Sequence, residues 1–518
     1  MTAALSGSRP AGLQLQAEVA WGAGIIAAAL LFYDAPGALL SLLLFLVLAW
    51  LCWQRTALAV ALVPLAAPLC SLPKTLHAGR EYSFSLGGTI LLLLAAIVLV
   101  QQTATLSSRP AQVSVLRHFI PATPFLWPAL AFFAAATLAT VAARFHSVAL
   151  SEYRWVVVEP ALFYWLVLQR LRGARDAALL ALSVVAAGTV VSLLGAWQIR
   201  FRPGDLVFAK DLTPPQHFVA AVYDSQNNLA LLIDRALPIA LALVLVPGWI
   251  ALFARGVSGA RVWKPTRAVQ AVLGLCSVIM AYILYRTGSR GGEATTLLCV
   301  AALFVLWQWR TPRRVRAAAF LVAAAAYLDR NSISAFVSGG HGLSNLAHQS
   351  IWNSALRMIR DHPILGIGPN NFLYYYSNSN ACAPGHIANY YYVQAGTNFE
   401  QCISHPHNLF LDYWLSTGLL GLLTGLVMIG MFAWLGIRAL RSADNSWKGP
   451  LLAALVAMLA FIAHGQVDNS YFLPDMALFF WLCLAIVTLY YNEATSLPRH
   501  FRDAASVPLE QQPAPGQP

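Results

Sequence analysis

The sequence predicts an all-α protein that crosses a membrane many times, and three observations support this prediction. Of the 518 residues, 58% are hydrophobic and only 10% are charged, whereas soluble domains carry about 25% charged residues. The mean hydropathy is +0.63. The apolar residues lie in runs of spanning length, about 20 residues each. We therefore predict a polytopic membrane protein with roughly 12–14 transmembrane helices.

The candidate spans follow one another along most of the chain. They cover residues 18–33, 37–53, 56–72, 85–101, 123–143, 154–169, 176–197, 228–250, 267–286, 292–310, 314–329, 407–437, 449–466 and 473–491. Some of them, such as 37–53 and 314–329, are short, which leaves the exact number of helices open. An even number would put both termini on the same side of the membrane.

Basic residues between the apolar runs orient the predicted helices. They concentrate in alternate loops, at Arg55, Arg109, Arg117, Arg170, Arg172, Arg175, Arg255, Arg261, Lys264, Arg267, Arg310, Arg313, Arg314, Arg316, Arg438, Arg441 and Lys448. The positive-inside rule assigns these loops and both termini to the cytoplasm. The net charge of +12 therefore follows from membrane topology and does not indicate nucleic-acid binding.

The remaining segments fall on the outer side of the membrane. They are 73–84, 144–153, 198–227, 287–291, 330–406 and 467–472. The segment 330–406 is by far the longest, and a polar loop of that length usually carries function. Apolar residues at helical spacing between His341 and Ile359 predict an amphipathic helix within it.

The chain divides into four regions by this pattern. Residues 1–197 hold the N-terminal transmembrane helices, and residues 198–437 form a central region that includes the loop 330–406. Residues 438–491 hold the C-terminal transmembrane helices. The tail at 492–518 is rich in Pro and Gln, which predicts cytoplasmic disorder.

Two of the seven cysteines, Cys382 and Cys402, lie in the long outer loop. A disulfide between them is permitted if that loop is outside the cytoplasm. The sequence does not give their separation in space, so the pairing stays open here.

The segment Ser404 to Asn408 places two imidazoles and an amide where the loop re-enters the membrane. A polar group at that depth is costly unless it has a function or a partner. A neutral imidazole, with a pKa near 6.5, suits a general base, and His407 is our candidate. His405 is a candidate for substrate binding, or for packing against Pro406. Asn408 could orient the His407 ring or bind a sugar, or it could cap the following helix.

Arg290 lies in a tight outer loop between two predicted spans, against the trend of the positive-inside rule. A guanidinium makes bidentate contacts with phosphate oxygens, so Arg290 is a candidate anion-binding residue. The alternative is an arginine that reaches the lipid headgroups. Arg200, Arg202 and Lys210 are further outward cations and share this interpretation.

Two acidic positions bear on metal binding and on charge pairing. Asp468, with nearby histidines, makes a metal site conceivable. However, the outer side has no His-x-x-x-His, Glu-x-x-His or Asp-x-Asp pair, so we predict no metal site and no soluble cofactor. Inside a predicted span, Asp234 and Arg235 are expected to pair with each other, because charges within a membrane need partners.

The spacing around His407 resembles the signature of the O-antigen ligase and polymerase superfamily. His407-Asn408 is followed after nine residues by Gly418 and after two more by Gly421. Ser289-Arg290-Gly291 resembles the arginine motif of the same family. The resemblance extends over most of the central region 198–437.

The resemblance implies a fold, a site and a reaction. The fold would be a GT-C-like bundle in the bacterial inner membrane, with the loop 330–406 and the active site facing the periplasm. Region 198–437 would be catalytic. The protein would move O-antigen glycan from undecaprenyl pyrophosphate to lipid A-core in an inverting, metal-independent reaction. His407 would act as the base, and Arg290, with Arg200 or Arg202, would bind the pyrophosphate.

Other functions stay open at the level of sequence. A polymerase would join lipid-linked repeat units, and a protein O-oligosaccharyltransferase would transfer the glycan to protein. The many outward arginines favour the ligase, since its acceptor is rich in phosphate. A lipid-linked glycan transporter would show a charged pathway and internal repeats, and no repeat is apparent. The glycan structure, the acceptor sugar and the oligomeric state are not determined by the sequence.

Overall fold

The computed structural model describes residues 11–71, 73–77, 81–107, 119–209, 216–254, 265–308, 342–377, 382, 383, 385 and 402–496. Within these residues, nine helices are long and apolar enough to cross a membrane, and three shorter apolar helices accompany them. The predicted all-α polytopic membrane fold is confirmed.

The structure describes eight α-helices in the N-terminal part of the chain. They are α1 (Ala11–Asp34), α2 (Ala38–Gln54), α3 (Thr56–Ala66), α4 (Leu86–Ser107), α5 (Leu126–Ala142), α6 (His146–Tyr153), α7 (Glu159–Arg170) and α8 (Gly173–Phe201). A π-helical turn at Arg154–Val158 joins α6 to α7. An antiparallel hairpin of β1 (Lys74–His77) and β2 (Glu81–Phe84) precedes α4, with Lys74 opposite Phe84.

The C-terminal half begins with a second antiparallel hairpin, in which Val207 lies opposite Phe218. Its elements are β3 (Val207–Ala209), β4 (Gln216–Phe218), α9 (Gln226–Leu245), α10 (Ala251–Ala254), α11 (Pro265–Thr287), α12 (Arg290–Gln308), α13 (Gly342–Asp361), α14 (Phe372–Tyr376), α15 (Leu409–Ser442), α16 (Asn445–His464) and α17 (Pro474–Ser496).

The predicted spans agree with these helices along the chain. Each contains helical residues except 314–329, which lies outside the described residues. Helix α17 continues to Ser496, beyond the predicted start of the tail at 492. The orientation of the bundle and the disorder of the tail stay predictions.

The centre of the bundle is formed by α9, α16 and α17, whose side chains are largely buried against other helices. Helices α1, α11 and α12 are more peripheral and keep more of their apolar surface exposed. In a membrane that surface faces lipid, so its exposure is expected. Helix α15 packs mainly against α5, and α9 packs against α11 and α16.

Helix α15 is broken at Gly418, where φ is +74°. The turn Ile364–Gly368 fills the break; it belongs to the described part of the long loop between α12 and α15, which we call the outer segment after its predicted location. Ile367 N donates to Leu415 O at 2.8 Å, and Leu419 N donates to Ile364 O at 3.0 Å. A Cβ at Gly418 would lie 3.0 Å from the Leu365 Cα. The position therefore requires glycine, both for its left-handed backbone and for this close approach.

The outer segment has a small hydrophobic core of its own. Side chains of α13 and α14 pack together with Ile403 and with Leu415 of α15. Helix α13 confirms the amphipathic helix predicted near 341–359. Cys382 and Cys402 form a disulfide, with their Cα atoms 5.1 Å apart, so the pairing that the sequence left open is present.

Candidate functional site

His407 pairs with a carboxylate that is distant in sequence. Its Nδ1 lies 2.8 Å from Asp468 Oδ1, and the His407 side chain is 27% exposed. Asp468 lies in the turn between α16 and α17, and its side chain is buried. An ionised carboxylate at this position accepts the Nδ1 hydrogen and leaves the basic lone pair on Nε2.

The surroundings of Asp468 keep its carboxyl ionised. Burial alone would raise its pKa, but the His407 imidazole and the backbone N–H of Asn469 outweigh that effect and lower the pKa to about 2. Since the pKa is lowered, the stabilisation from this pair is complete above the ordinary value of 3.8 and is lost as the pH falls towards 2. Asp468 is therefore a carboxylate throughout the neutral range.

The backbone of His407 is strained. Its φ is +47°, and within the described part of the chain it is one of three non-glycine residues in the left-handed region. Such a conformation costs of the order of 1 kcal/mol and is concentrated at functional sites. Here it turns the chain from the loop into α15 and directs the imidazole towards the α16–α17 turn.

Asn408 caps helix α15. Its Oδ1 accepts from the N–H groups of Phe410 and Leu411, and its Nδ2 donates to Gln466 O at 3.1 Å. These contacts agree with the capping interpretation. Most hydrogen-bonding groups of the Asn408 amide are thus used within the protein. Substrate contact by Asn408 stays a prediction.

The short turn at 464–468, which we call the central turn, supports both His407 and the arginine loop. Leu409 N donates to Gly465 O, which holds the start of α15 against this turn. Asp468 N donates to His464 O at 3.1 Å. The position of the carboxylate is thus fixed by the end of α16.

Arg290 opens helix α12 on the other side of the central turn. Its neighbour Gly291 approaches so closely that a Cβ there would lie 2.8 Å from His464 Nε2 and 3.2 Å from Val467 Cγ2. Arg290 itself is exposed. A guanidinium at the start of a helix, where backbone N–H groups also point outwards, is suited to an anion such as a diphosphate.

Below the central turn lies a buried network of charged and polar groups. His464 Nδ1 lies 2.5 Å from Asp234 Oδ2, and the other carboxylate oxygen of Asp234 accepts from Arg235 at 2.8 Å. Arg235 also donates to Ser470 Oγ. The expected pairing of Asp234 with Arg235 is confirmed. The network makes the floor of the site rigid, since buried charges need fixed partners.

His405 lies deeper than His407. Its side chain is 9% exposed, its Nδ1 lies 2.9 Å from Asp412 Oδ2, and its ring stacks on Phe472 with centroids 6.0 Å apart. This burial favours a supporting role over direct contact with substrate. The predicted role of His405 in substrate binding is not tested by these contacts and stays a prediction.

Helix α13 of the outer segment covers one side of His407. The rings of His348 and His407 have centroids 5.8 Å apart, and His348 Nε2 lies 3.2 Å from Val467 O. The outer segment therefore forms a wall of the site.

The remaining predicted cations lie at the end of α8. Arg200 and Arg202 are both exposed. The Arg200 guanidinium lies 5.2 Å from the ring centre of Phe201, and that of Arg202 lies 5.8 Å from the ring of Trp197. Such contacts are typical of an interfacial anchor. Lys210 lies outside the described residues, and all three stay predictions as substrate ligands.

Sequence reasoning found Asp468 only as a conceivable metal ligand and missed it as the partner of His407. The available signal was an acidic residue in a short outer turn that the topology places on the same side as His407. Among the described residues, no group of three or more His, Cys, Asp or Glu side chains could hold a metal ion. Independence from metal nevertheless stays a prediction.

Together these features define a multi-pass membrane protein with a His–Asp pair and an exposed arginine at one end of its bundle. Residues 275–426 match the family model described as O-antigen ligase. Over these residues the match confirms the predicted resemblance to the O-antigen ligase superfamily, and it supports a ligase- or polymerase-type function in general. It contains Arg290 and His407 and ends before Asp468. No curated protein matches the chain.

Proposed function

We propose that the protein is an O-antigen ligase that transfers a glycan from undecaprenyl pyrophosphate to a hydroxyl of lipid A-core. The transfer is inverting and needs no metal ion, and it occurs on the periplasmic face of the bacterial inner membrane. The observation that carries this proposal is the 2.8 Å contact between His407 Nδ1 and the buried Asp468 carboxylate.

His407 is the general base of the proposed reaction. The Asp468 carboxylate holds the proton on Nδ1, so Nε2 accepts the proton of the acceptor hydroxyl. The acceptor oxygen forms a bond to the anomeric carbon while the bond from that carbon to the pyrophosphate oxygen breaks. Attack from the face opposite the leaving group inverts the anomeric configuration. Asp468 also stabilises the imidazolium that results.

Arg290 is the proposed ligand of the pyrophosphate. Negative charge develops on the leaving diphosphate, and a positioned guanidinium stabilises it. The loop that carries Arg290 rests on the same central turn as Asp468, which would hold the leaving group and the base in a fixed relation. Arg200 or Arg202 would be a second ligand only if the end of α8 also faces the donor.

The acceptor distinguishes the ligase from its runner-up, a polymerase. The exposed arginines at this end of the bundle suit lipid A-core, which is rich in phosphate. An anionic repeat unit would suit them as well, so the acceptor must be decided by experiment.

The test uses purified full-length protein in detergent, with a lipid-pyrophosphate-linked glycan, lipid A-core and EDTA. Product is followed by the gel shift of lipid A-core for the wild type, for His407→Ala and for His362→Ala. His362 is a matched control, because it lies on the same outer segment and its ring contacts Tyr375 rather than Asp468. We expect the wild type and His362→Ala to form product, and His407→Ala to lose at least about 10²-fold in rate.

Each other outcome contradicts part of the proposal. Longer lipid-linked chains without shifted lipid A-core would identify a polymerase. Product that forms only after divalent cations are restored would exclude the metal-independent mechanism. An active His407→Ala variant would show that His407 is not the general base. The absence of both products would favour a transporter.

A further inference from the structure

A second histidine–carboxylate pair lies directly beneath the first. His405 is two residues before His407, and its Nδ1 lies 2.9 Å from Asp412 Oδ2. Neither of these two atoms makes a well-aligned hydrogen bond within the described residues, so the contact acts through charge. The other oxygen of Asp412 accepts from Ser416 Oγ at 2.9 Å, which fixes the carboxylate.

A third ionisable group reaches this pair from a different part of the chain. Glu152 of α6 is buried and interacts electrostatically with both His405 and Asp412. Its Oε1 has no hydrogen-bond partner in the described structure. Burial raises the pKa of Glu152 to about 7, and His405 acts in the opposite direction, since a buried carboxylate is costly unless an opposite charge is near. His405 is the cationic group that faces it.

The charged groups that face His405 are all acidic. They come from three elements: Glu152 from α6, Asp412 from α15 and Asp468 from the central turn. Burial lowers the pKa of His405, but the facing Asp412 carboxylate outweighs burial, and Glu152 and Asp468 add to its effect, so the pKa is raised above 6.5. The ion pair is therefore complete below 6.5 and is lost as the pH rises through the raised value.

We propose that His405, Asp412 and Glu152 form a positioning cluster in which the His405 cation offsets the buried carboxylates beside the His407–Asp468 pair and thereby sets the pH above which His407 can accept a proton. This proposal rests on the proposed function of His407 as a base. None of the three residues has to touch substrate. They act through Asp468, which His405 also faces.

The direction of the effect follows from the signs of the charges. A positive His405 favours the Asp468 carboxylate and disfavours a second positive charge on His407. Removal of the His405 charge should therefore let His407 keep its proton to a higher pH. We expect removal of the His405 charge to move the acidic limb of the rate profile to higher pH by about one unit.

The test is the pH profile of kcat/KM for the wild type, His405→Gln, Asp412→Asn and the double variant. We expect His405→Gln, which leaves the Asp412 carboxylate without its cation, to move the acidic limb to higher pH by about one unit, with the alkaline plateau kept within a few-fold. Asp412→Asn removes a negative charge and should not move the limb to higher pH. The double variant removes both charges and should return the limb towards its wild-type position. Asp412→Glu, which keeps the carboxylate, should restore the wild-type limb.

Glu159→Gln is the matched control for the loss of a buried acid. Glu159 begins helix α7, one π-helical turn after the helix that carries Glu152, and it pairs with Arg154 at 3.3 Å rather than with His405. The acidic limb of the Glu159→Gln profile should therefore stay at the wild-type pH. If the His405 and Asp412 variants do not fold, as judged by size-exclusion profile and thermal unfolding, Glu152→Gln decides. Because this variant removes a negative charge, a shift of the limb to lower pH supports the cluster, and an unchanged limb overturns it.

The outcomes separate this inference from the proposed function. Lower activity at every pH, with the limb in place, would assign the cluster a structural role and overturn the inference alone. A wild type without transferase activity, or a fully active His407→Ala, would instead overturn the proposed function on which the inference rests.

Discussion

Arginines occur in two regions at one end of this bundle, and their surroundings differ. Arg290 follows a tight turn against the central turn, where Gly291 contacts His464 and Val467 and where Asp468 pairs with His407. Arg202, at the end of α8, lies over the ring of Trp197, and both side chains are exposed. The same residue type thus lies beside a fixed buried network in one region and on an open aromatic surface in the other.

This difference indicates which of the two regions is suited to catalysis. Preorganised charge is effective in catalysis because the protein has fixed it before the reaction begins. At the central turn that fixing is provided by Asp234, Arg235 and His464, which are all buried. The end of α8 carries positive charge but has no comparable buried network described beside it. Its aromatic contacts are those of an anchor in the membrane interface.

The largest effect should come from Asp468→Asn, which keeps the size of the side chain but removes its charge. An amide can present its NH₂ group to His407 and favour the wrong tautomer. We expect kcat to fall about 10²- to 10⁴-fold, measured with the lipid A-core gel-shift assay. A retained rate would show that Asp468 does not orient the base.

Asp475→Asn is the control for the loss of a buried carboxylate at this end. Asp475 Oδ2 accepts from the Tyr223 hydroxyl at 2.6 Å and contacts neither histidine of the His407 loop. We expect this variant to lower thermal stability and to change kcat by no more than a few-fold. A loss as large as that of Asp468→Asn would mean that any damage to this end abolishes activity.

The sequence was sufficient to locate the long helices and to single out His407 as a candidate, but it did not identify the carboxylate partner of His407. Hydrophobic runs of spanning length locate each helix because the bilayer imposes both length and composition. Asp468 is 61 residues beyond His407, and only the packing of α15 against α16 brings the two together. The contact between Gly418 and the turn at Ile364 was missed for the same reason, since the two belong to separate elements.

The next effect compares the two arginine regions directly. Arg290→Ala should lower kcat/KM by about 10²-fold, since it removes a fixed cation from the leaving group. Arg290→Lys should recover part of this loss, because a lysine keeps the charge but not the bidentate geometry. Arg202→Ala should cost no more than about threefold, as expected for an exposed anchor. Equal losses at Arg290 and Arg202 would contradict the comparison and make the end of α8 part of the donor site.

The smallest effect should come from a single methyl group placed in each of the two arginine regions. Gly291→Ala would put its Cβ 2.8 Å from His464 Nε2, so the arginine loop or the central turn must shift. We expect a loss of about 1–3 kcal/mol in stability, seen as a lower midpoint of thermal unfolding, with reduced activity. Gly204→Ala, at the end of α8, meets nothing within 4 Å and should change neither. If Gly291→Ala also left stability and activity unchanged, the central turn would be as deformable as the end of α8. The argument that a rigid support positions Arg290 for catalysis would then fail.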